Sequence, residues 1–417
     1  MMSASLNKKL PLLLEQCLFS GTGFVVNIAL AKSMGLELYG VYASLIIISY
    51  LLLSISQALV IQPMQIHVGK TTDDSSYRIV LIFLQCFLIL VYFTFFFGAY
   101  LANTSLLAIG QEDLLPFLLY LAFFLGYDFY RKYFLATAQL ITALIIAAAF
   151  ALSTIGLLAF HLLSTASTDL NTYLYLLAAG QLPSIIIATV VYWRSVALPD
   201  LQAIKRYFKI HIIDGQWLLY AAITQWFSGN LYVMASGLLI GLEALGALRF
   251  VQSLFGLVNI LLQTIENYVL PQLSKAYQVS LQHCYRAFQS ALGVYQMIIL
   301  AGLGVLFLFA GQVLRFAGSA EFVPYAYVLR GMVVLYAIII LAYPVRLLIR
   351  VTELNRSYFV AYLISFAFSL ISYQFLLTHF GVTGAVIGLI GNQLILQATW
   401  LIVLKKNQFN VWKLYIS

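Results

Sequence analysis

The chain has 417 residues, of which 63% are hydrophobic and only 9% charged. Soluble domains carry about 25% charged residues, so a water-soluble globule is excluded, as are a disordered chain and a nucleic-acid-coating one, despite the net charge of +8. Three cysteines, Cys17, Cys86 and Cys284, make neither a disulfide framework nor a metal cluster. What remains is an all-α polytopic membrane protein.

A helix crosses the hydrocarbon core with roughly 20 mainly apolar residues. Twelve stretches meet this in chain order: 11–32, 39–61, 79–102, 114–135, 140–162, 171–193, 212–239, 247–269, 288–314, 325–345, 357–378 and 382–404. They are too long, and too uniformly apolar, for barrel strands. The start, with Lys8 and Lys9 before an apolar run and Ala29-Leu30-Ala31 near its end, has the outline of a signal peptide. The run is long enough to span and belongs to the repeat described below, so it reads as a retained first helix. With the N-terminus in the cytoplasm, eighteen of the 22 Lys and Arg fall on the cytoplasmic side, leaving Lys32, Arg249, Arg315 and Arg330 as exceptions. Basic residues collect inside, so both termini are placed in the cytoplasm.

Two segments read alike: Gly-Leu-Glu-Leu-Tyr-Gly at 35–40 and Gly-Leu-Glu-Ala-Leu-Gly at 241–246, an offset of 206. Gln57 and Gln263 share that offset, and Pro63 and Pro271 are each expected to end a helix shortly afterwards. Six spans per copy is an even number, so the copies run the same way through the membrane. The expected layout is two parallel six-helix repeats around a central cavity. Residues 1–198 form the first bundle and 212–417 the second. Residues 199–211 are expected to form a linker helix at the cytoplasmic surface, with Leu201, Ile204 and Phe208 on its apolar face.

The stretch Leu30 to Tyr42, an Ala-basic helix end, a glycine loop and an aromatic-Gly pair, resembles the start of polysaccharide-export (O-antigen/capsule-type) flippases. The segment from Gly246 to Tyr277, with an early arginine and a closing Pro271-Gln272-Leu273-Ser274, resembles the matching hairpin of that family and of lipid II flippases. These belong, with multidrug and toxin extrusion transporters, to the multidrug/oligosaccharidyl-lipid/polysaccharide exporter superfamily. The resemblance implies transport of a polyprenyl-diphosphate-linked oligosaccharide across the bacterial inner membrane by alternating access, for polysaccharide assembly. It also implies contact with membrane lipid and with other polysaccharide-assembly proteins. An ion-coupled drug or metabolite antiporter is the alternative.

A charge at the bilayer centre costs several kcal/mol or more, so polar residues inside spans mark the path of a charged substrate. The eighth span carries Arg249, Gln252, Gly256, Asn259, Gln263 and Glu266 at spacings of 3 and 4, within an arc of roughly 100°. Such a stripe lines a cavity or forms a hydrogen-bonded seam between helices. Arg249 suits a phosphate or snorkels to the surface. Lys32 fixes a helix end or contacts substrate. Asn27, Gln57 and Arg330 complete the substrate-binding candidates. Glu266, Asp214 and Glu15 are candidates for coupling to H⁺ or Na⁺, each with an interfacial position as the other reading. Trp217, Trp226 and Tyr232 are candidates for stacking on sugar. Asp73-Asp74 lacks a third carboxylate, no phosphate-binding loop for ATP is present, and the histidines show no ligand spacing. The chain therefore reads as a transporter rather than an enzyme, with no bound cofactor or metal and no nucleic-acid partner.

Overall fold

The computed structural model describes residues 2–68, 75–102, 111–164, 169–194 and 201–415, without the side chains of 2–9, 75, 111, 201, 203, 264, 267, 268, 290 and 291. The Asp73-Asp74 pair, Lys70, Pro199, Asp200 and residues 103–110 and 165–168 lie outside the described residues. No strand occurs among the described residues. Nine helices there are long and apolar enough to cross a membrane. Two of the nine hold two spans each, joined at glycines with positive φ, Gly35 (72°) and Gly381 (55°). The long helix Leu201–Leu239 carries the twelfth. In chain order the spans are α1 (2–34), α2 (36–68), α3 (Ser75–Leu101), α4 (Leu114–Ala136), α5 (Leu140–Ser164), α6 (Leu170–Trp193), α7 (Leu201–Leu239), α8 (242–279), α9 (281–317), α10 (326–351), α11 (355–380) and α12 (382–406).

The chain divides into two compact units. One holds residues up to Met34 and Ser44–Ile223; the other holds Gly35–Ala43 and Thr224–Ser417. The sequence reading instead places the division across 199–211. Residues 201–211 run without interruption into the apolar part of α7. There Tyr207 and His211 are buried while Phe208 is exposed.

In the first unit, Tyr77, Leu81, Phe129, Tyr133, Phe134, Ile146, Tyr192 and Tyr207 form the core. Small residues allow helices to approach closely in a membrane. A Cβ on Gly180 of α6 would lie 2.5 Å from Thr154 Oγ1 of α5.

The prolines expected to end helices do not: α2 runs to Val68 beyond Pro63, and α8 to Val279 beyond Pro271. At Pro63 a wide π turn, Gln57–Ile61, absorbs the ring. Proline offers no N–H to the carbonyl of Leu59, four residues back. His211 Nδ1 donates to that oxygen at 2.9 Å, so its Nε2 accepts from Tyr77 Oη at 2.8 Å. These bonds key α7 to α2 and α3.

In the second unit the two repeat motifs meet. Gly241 (φ 133°), the mate of Gly35, opens α8 as Gly35 opens α2. Glu321 accepts the amide of Leu36 at 2.6 Å, which places a carboxylate at the start of α2. Tyr39 packs edge-on against Phe250 and Phe322. A Cβ on Gly40 would fall 2.1 Å from the Leu242 carbonyl oxygen, and one on Gly246 would fall 3.0 Å from Gly40 Cα. Farther along, Asn392 of α12 donates to the Ser228 carbonyl of α7 and to Ser369 of α11, both at 2.7 Å. Ser228 and Ser365 hydroxyls meet at 2.9 Å.

Gly40→Ala is expected to destabilise the protein by about 1–3 kcal/mol, the usual cost of overpacking. Gly229→Ala, with nothing within 4 Å of the new methyl, is expected not to; thermal unfolding in detergent separates the two. His211 stands just ahead of the apolar stretch 212–239. Burial holds its proton affinity below the ordinary range; the Leu59 carbonyl works in the opposite direction, His67 lowers it and Asp214 raises it. The unfolded chain takes up that proton near pH ~6.5. Stability should therefore decline as pH falls below this value. His211→Gln, which still donates to Leu59, should flatten that decline in melts recorded from pH about 7.5 to about 5.

Candidate functional site

Each unit holds a polar network within its spans that contains candidate residues. The α8 stripe supplies the first. The helix is not continuous: Leu242–Leu254 and Gly256–Val279 are separated at Phe255, whose N–H turns back to Gln252 O at 3.1 Å. The cause is packing. Phe255 is fully buried and stacks on Tyr336 of α10, ring centres 4.2 Å apart. Arg249 and Gln252 stand on the first piece, with Arg249 Nη1 donating to Gln252 Oε1 at 3.3 Å. Asn259, Gln263 and Glu266 stand on the second. Asn259 donates to Tyr336 Oη at 2.9 Å. Asn259 and Gln263 remain exposed, and Arg249 and Gln252 half-buried.

At the far end of the stripe, Glu266 faces two arginines of α10. Its carboxylate pairs directly with Arg350 and lies 3.7 Å from Arg346 Nη2. Tyr343 Oη stands 2.7 Å from the Leu262 carbonyl and 3.0 Å from Glu266 Oε2. Sequence reasoning counted both arginines only as markers of orientation. Their spacing of four on an apolar helix is the signal it passed over.

The first unit holds the second network. Glu15 is fully buried, as are Asp128 and Arg131 of α4. The guanidinium of Arg131 pairs with Glu15, donates to Gln16 Oε1 at 2.8 Å and lies 3.7 Å from Asp128. It also lies 3.8 Å from the centre of the Phe19 ring, a cation–π contact. Gln57, turned toward α4 by the π turn, donates to Asp128 Oδ2 at 3.3 Å. Lys132 interacts electrostatically with both carboxylates. Two acids and two bases thus balance in a region that favours no net charge. Nothing in α1 alone could place Glu15 there; the i,i+3 pair Asp128 and Arg131 inside an aromatic helix was the legible half.

The other candidates lie apart from these networks. Asn27 donates to Gly23 O at 2.7 Å within its own helix. Lys32 is exposed at the end of α1. Asp214 lies 3.7 Å from His67 Nε2, beside the His211 contacts. Arg330 is exposed, with Nε 3.4 Å from the Phe307 carbonyl. Of the aromatic candidates, Trp217 is exposed. Trp226 and Tyr232 are buried, and Tyr232 bonds Ser372 at 2.7 Å, so core packing uses both rings.

No family model and no curated protein matches the sequence. Solved structures do. The lipid II flippase MurJ, in an inward closed conformation, matches with a TM-score of 0.73 at 12% identity, over 98% of this chain and 89% of that one. A multidrug resistance MATE family transporter of the MOP superfamily, inward-facing, matches with a TM-score of 0.62 at 14% identity, over 96% and 94%. The MATE multidrug transporter DinF-BH matches with a TM-score of 0.67 at 15% identity, over 96% and 95%. The fold is thus the one found in this flippase and these transporters.

Removing one partner of a buried ion pair leaves the other charge uncompensated, at about 3–5 kcal/mol. Arg131→Met should lower thermal stability by that order, and Glu15→Leu combined with Arg131→Met should recover part of the loss. A double variant less stable than the single one would overturn the pairing.

Proposed function

We propose that this protein is a flippase that moves a polyprenyl-diphosphate-linked oligosaccharide across the cytoplasmic membrane by alternating access, for assembly of a polysaccharide. The carrying observation is the α8 edge: Arg249 and Gln252 half-buried, Asn259 and Gln263 exposed, on a helix otherwise built of apolar residues. The fold shared with MurJ supports a lipid-linked substrate, and its TM-score exceeds those of the two multidrug transporters.

In this reading Arg249 neutralises diphosphate, with Lys32 and Arg330 as further cations. Gln252, Asn259, Gln263, Asn27 and Gln57 offer amides to sugar hydroxyls. Gln57 does so from a position already bonded to Asp128. Glu15, Asp214 and Glu266 are the carboxylates through which an H⁺ or Na⁺ gradient drives the cycle. Glu15 is the most enclosed of the three, which suits a group that exchanges an ion away from bulk water. The basic residues at the helix ends support an orientation with both termini in the cytoplasm. Partners are the lipid-linked substrate, membrane lipid and the other proteins of polysaccharide assembly. The rival reading, an ion-coupled exporter of drugs or metabolites, draws on the same fold through the MATE transporters.

Deleting the gene should cause one lipid-linked sugar intermediate to accumulate on the inner leaflet. Charge-assisted hydrogen bonds contribute about 1.5–3 kcal/mol, so Arg249→Ala should reduce export by roughly 10- to 100-fold at unchanged protein level, read as surface polysaccharide. Normal export by this variant removes Arg249 from the pathway. Efflux of an organic cation by purified protein that binds no lipid-linked sugar establishes the exporter instead.

A further inference from the structure

Glu266, Arg346 and Arg350 differ in kind from the Glu15, Asp128 and Arg131 cluster. That cluster is sealed. In the α8–α10 group, Arg346 and Arg350 keep 34% and 38% of their side-chain surface and Glu266 keeps 13%. Two guanidiniums face one carboxylate, which leaves a surplus positive charge. One donor of the group is unmet: Arg346 Nε is buried and has no hydrogen-bond partner. The proton of Tyr343 Oη is shared, and its shorter contact is to the Leu262 carbonyl, so Glu266 receives the weaker share.

The two arginines stand about one turn apart, roughly 6 Å along the axis, on the segment Tyr343–Val351. Tyr358 of α11 hydrogen-bonds Arg346, and Tyr362 adds to the field around it. Tyr358 in turn stacks on Trp400 of α12, ring centres 5.4 Å apart and planes within 7°. The group therefore combines a fixed aromatic wall, two forked cations and one carboxylate held by only part of its bonding capacity.

We propose that Arg346 and Arg350 form a binding site for a phosphate-bearing group, and that Glu266 is its built-in occupant, an internal stand-in that yields the forks when phosphate arrives. Guanidinium forks bind phosphate bidentately, and phosphate brings more charge and more acceptors than a carboxylate. An incoming phosphoryl oxygen also satisfies Arg346 Nε, which Glu266 does not reach. The site is separate from the Arg249 end of the stripe: the 17 residues from Arg249 to Glu266 span about 25 Å of helix. It thus gives the substrate a second foothold for its phosphate. The identity of the ligand as a lipid diphosphate rests on the flippase reading; the anion site does not.

The test uses full-length protein in phosphatidylcholine nanodiscs, titrated with farnesyl diphosphate and with inorganic diphosphate, and repeated with phosphatidylglycerol in the disc. Wild type should bind saturably. Arg346→Ala and Arg350→Ala should each weaken binding about tenfold or more, and Arg350→Lys should weaken it less. Glu266→Gln should tighten it several-fold, because the competing carboxylate is gone. Monodisperse elution of each variant verifies folding, and the gain in Glu266→Gln cannot come from misfolding. Equal binding of both diphosphates supports the site with the phosphoryl groups as the recognised part. Tighter binding of farnesyl diphosphate, competed by phosphatidylglycerol, supports it with a lipid headgroup as the source. Arginine variants that bind as wild type does, or a Glu266→Gln variant that binds more weakly, overturn the proposal. Retained binding with no defect in polysaccharide export on gene deletion removes the flippase reading and leaves the anion site standing.

Discussion

A charge inside hydrocarbon has no water to turn to, so it must find an opposite charge or a route to the surface. The arrangement of this protein follows from that constraint. Glu15, Asp128, Arg131 and Lys132 answer it by mutual neutralisation, and the Arg131 guanidinium adds the face of Phe19. The α8 edge answers it differently, by keeping Asn259 and Gln263 exposed on a helix otherwise built of apolar residues. A bundle that merely needed to be stable would gain from apolar residues at those positions. Their presence is what turns a helix bundle into a candidate pathway.

Backbone approach sets the second constraint. Helices in a membrane cannot rely on the expulsion of water to hold them together, so contact area and hydrogen bonds between helices decide. The repeat motif provides contact through its glycines: Gly35 and Gly241 supply the positive φ at the start of α2 and α8, and Gly40 and Gly246 let those helices touch. The Ser228, Ser365, Ser369 and Asn392 set provides the hydrogen bonds among α7, α11 and α12. Each group is small, neutral and bonded, which makes it inexpensive to bury.

Much of the fold was legible because the signals are local. Apolar length located the twelve helices, and a six-residue match picked out Gly35 and Gly241, which open α2 and α8. The candidate site was legible only along α8, where period and polarity coincide. The partners of Glu15 were not legible because its environment is made by α4, more than a hundred residues away, and a single helix cannot announce a partner it does not carry. Arg131, Arg346 and Arg350 were hidden by a different effect. Basic residues near span ends satisfy the orientation rule so well that they draw no further question. Pro63 and Pro271 were read as stops, but both helices continue, at Pro63 with a π turn and the His211 donor.

The bond from His211 to the Leu59 carbonyl has a meaning for related sequences. Proline at 63 creates a carbonyl in search of a donor, and the imidazole fills the vacancy from another helix. Neither residue is useful to the fold without the other. Homologues should therefore exchange them as a couple: where alanine or leucine replaces the proline, the helix supplies its own N–H, and the histidine should give way to an apolar side chain.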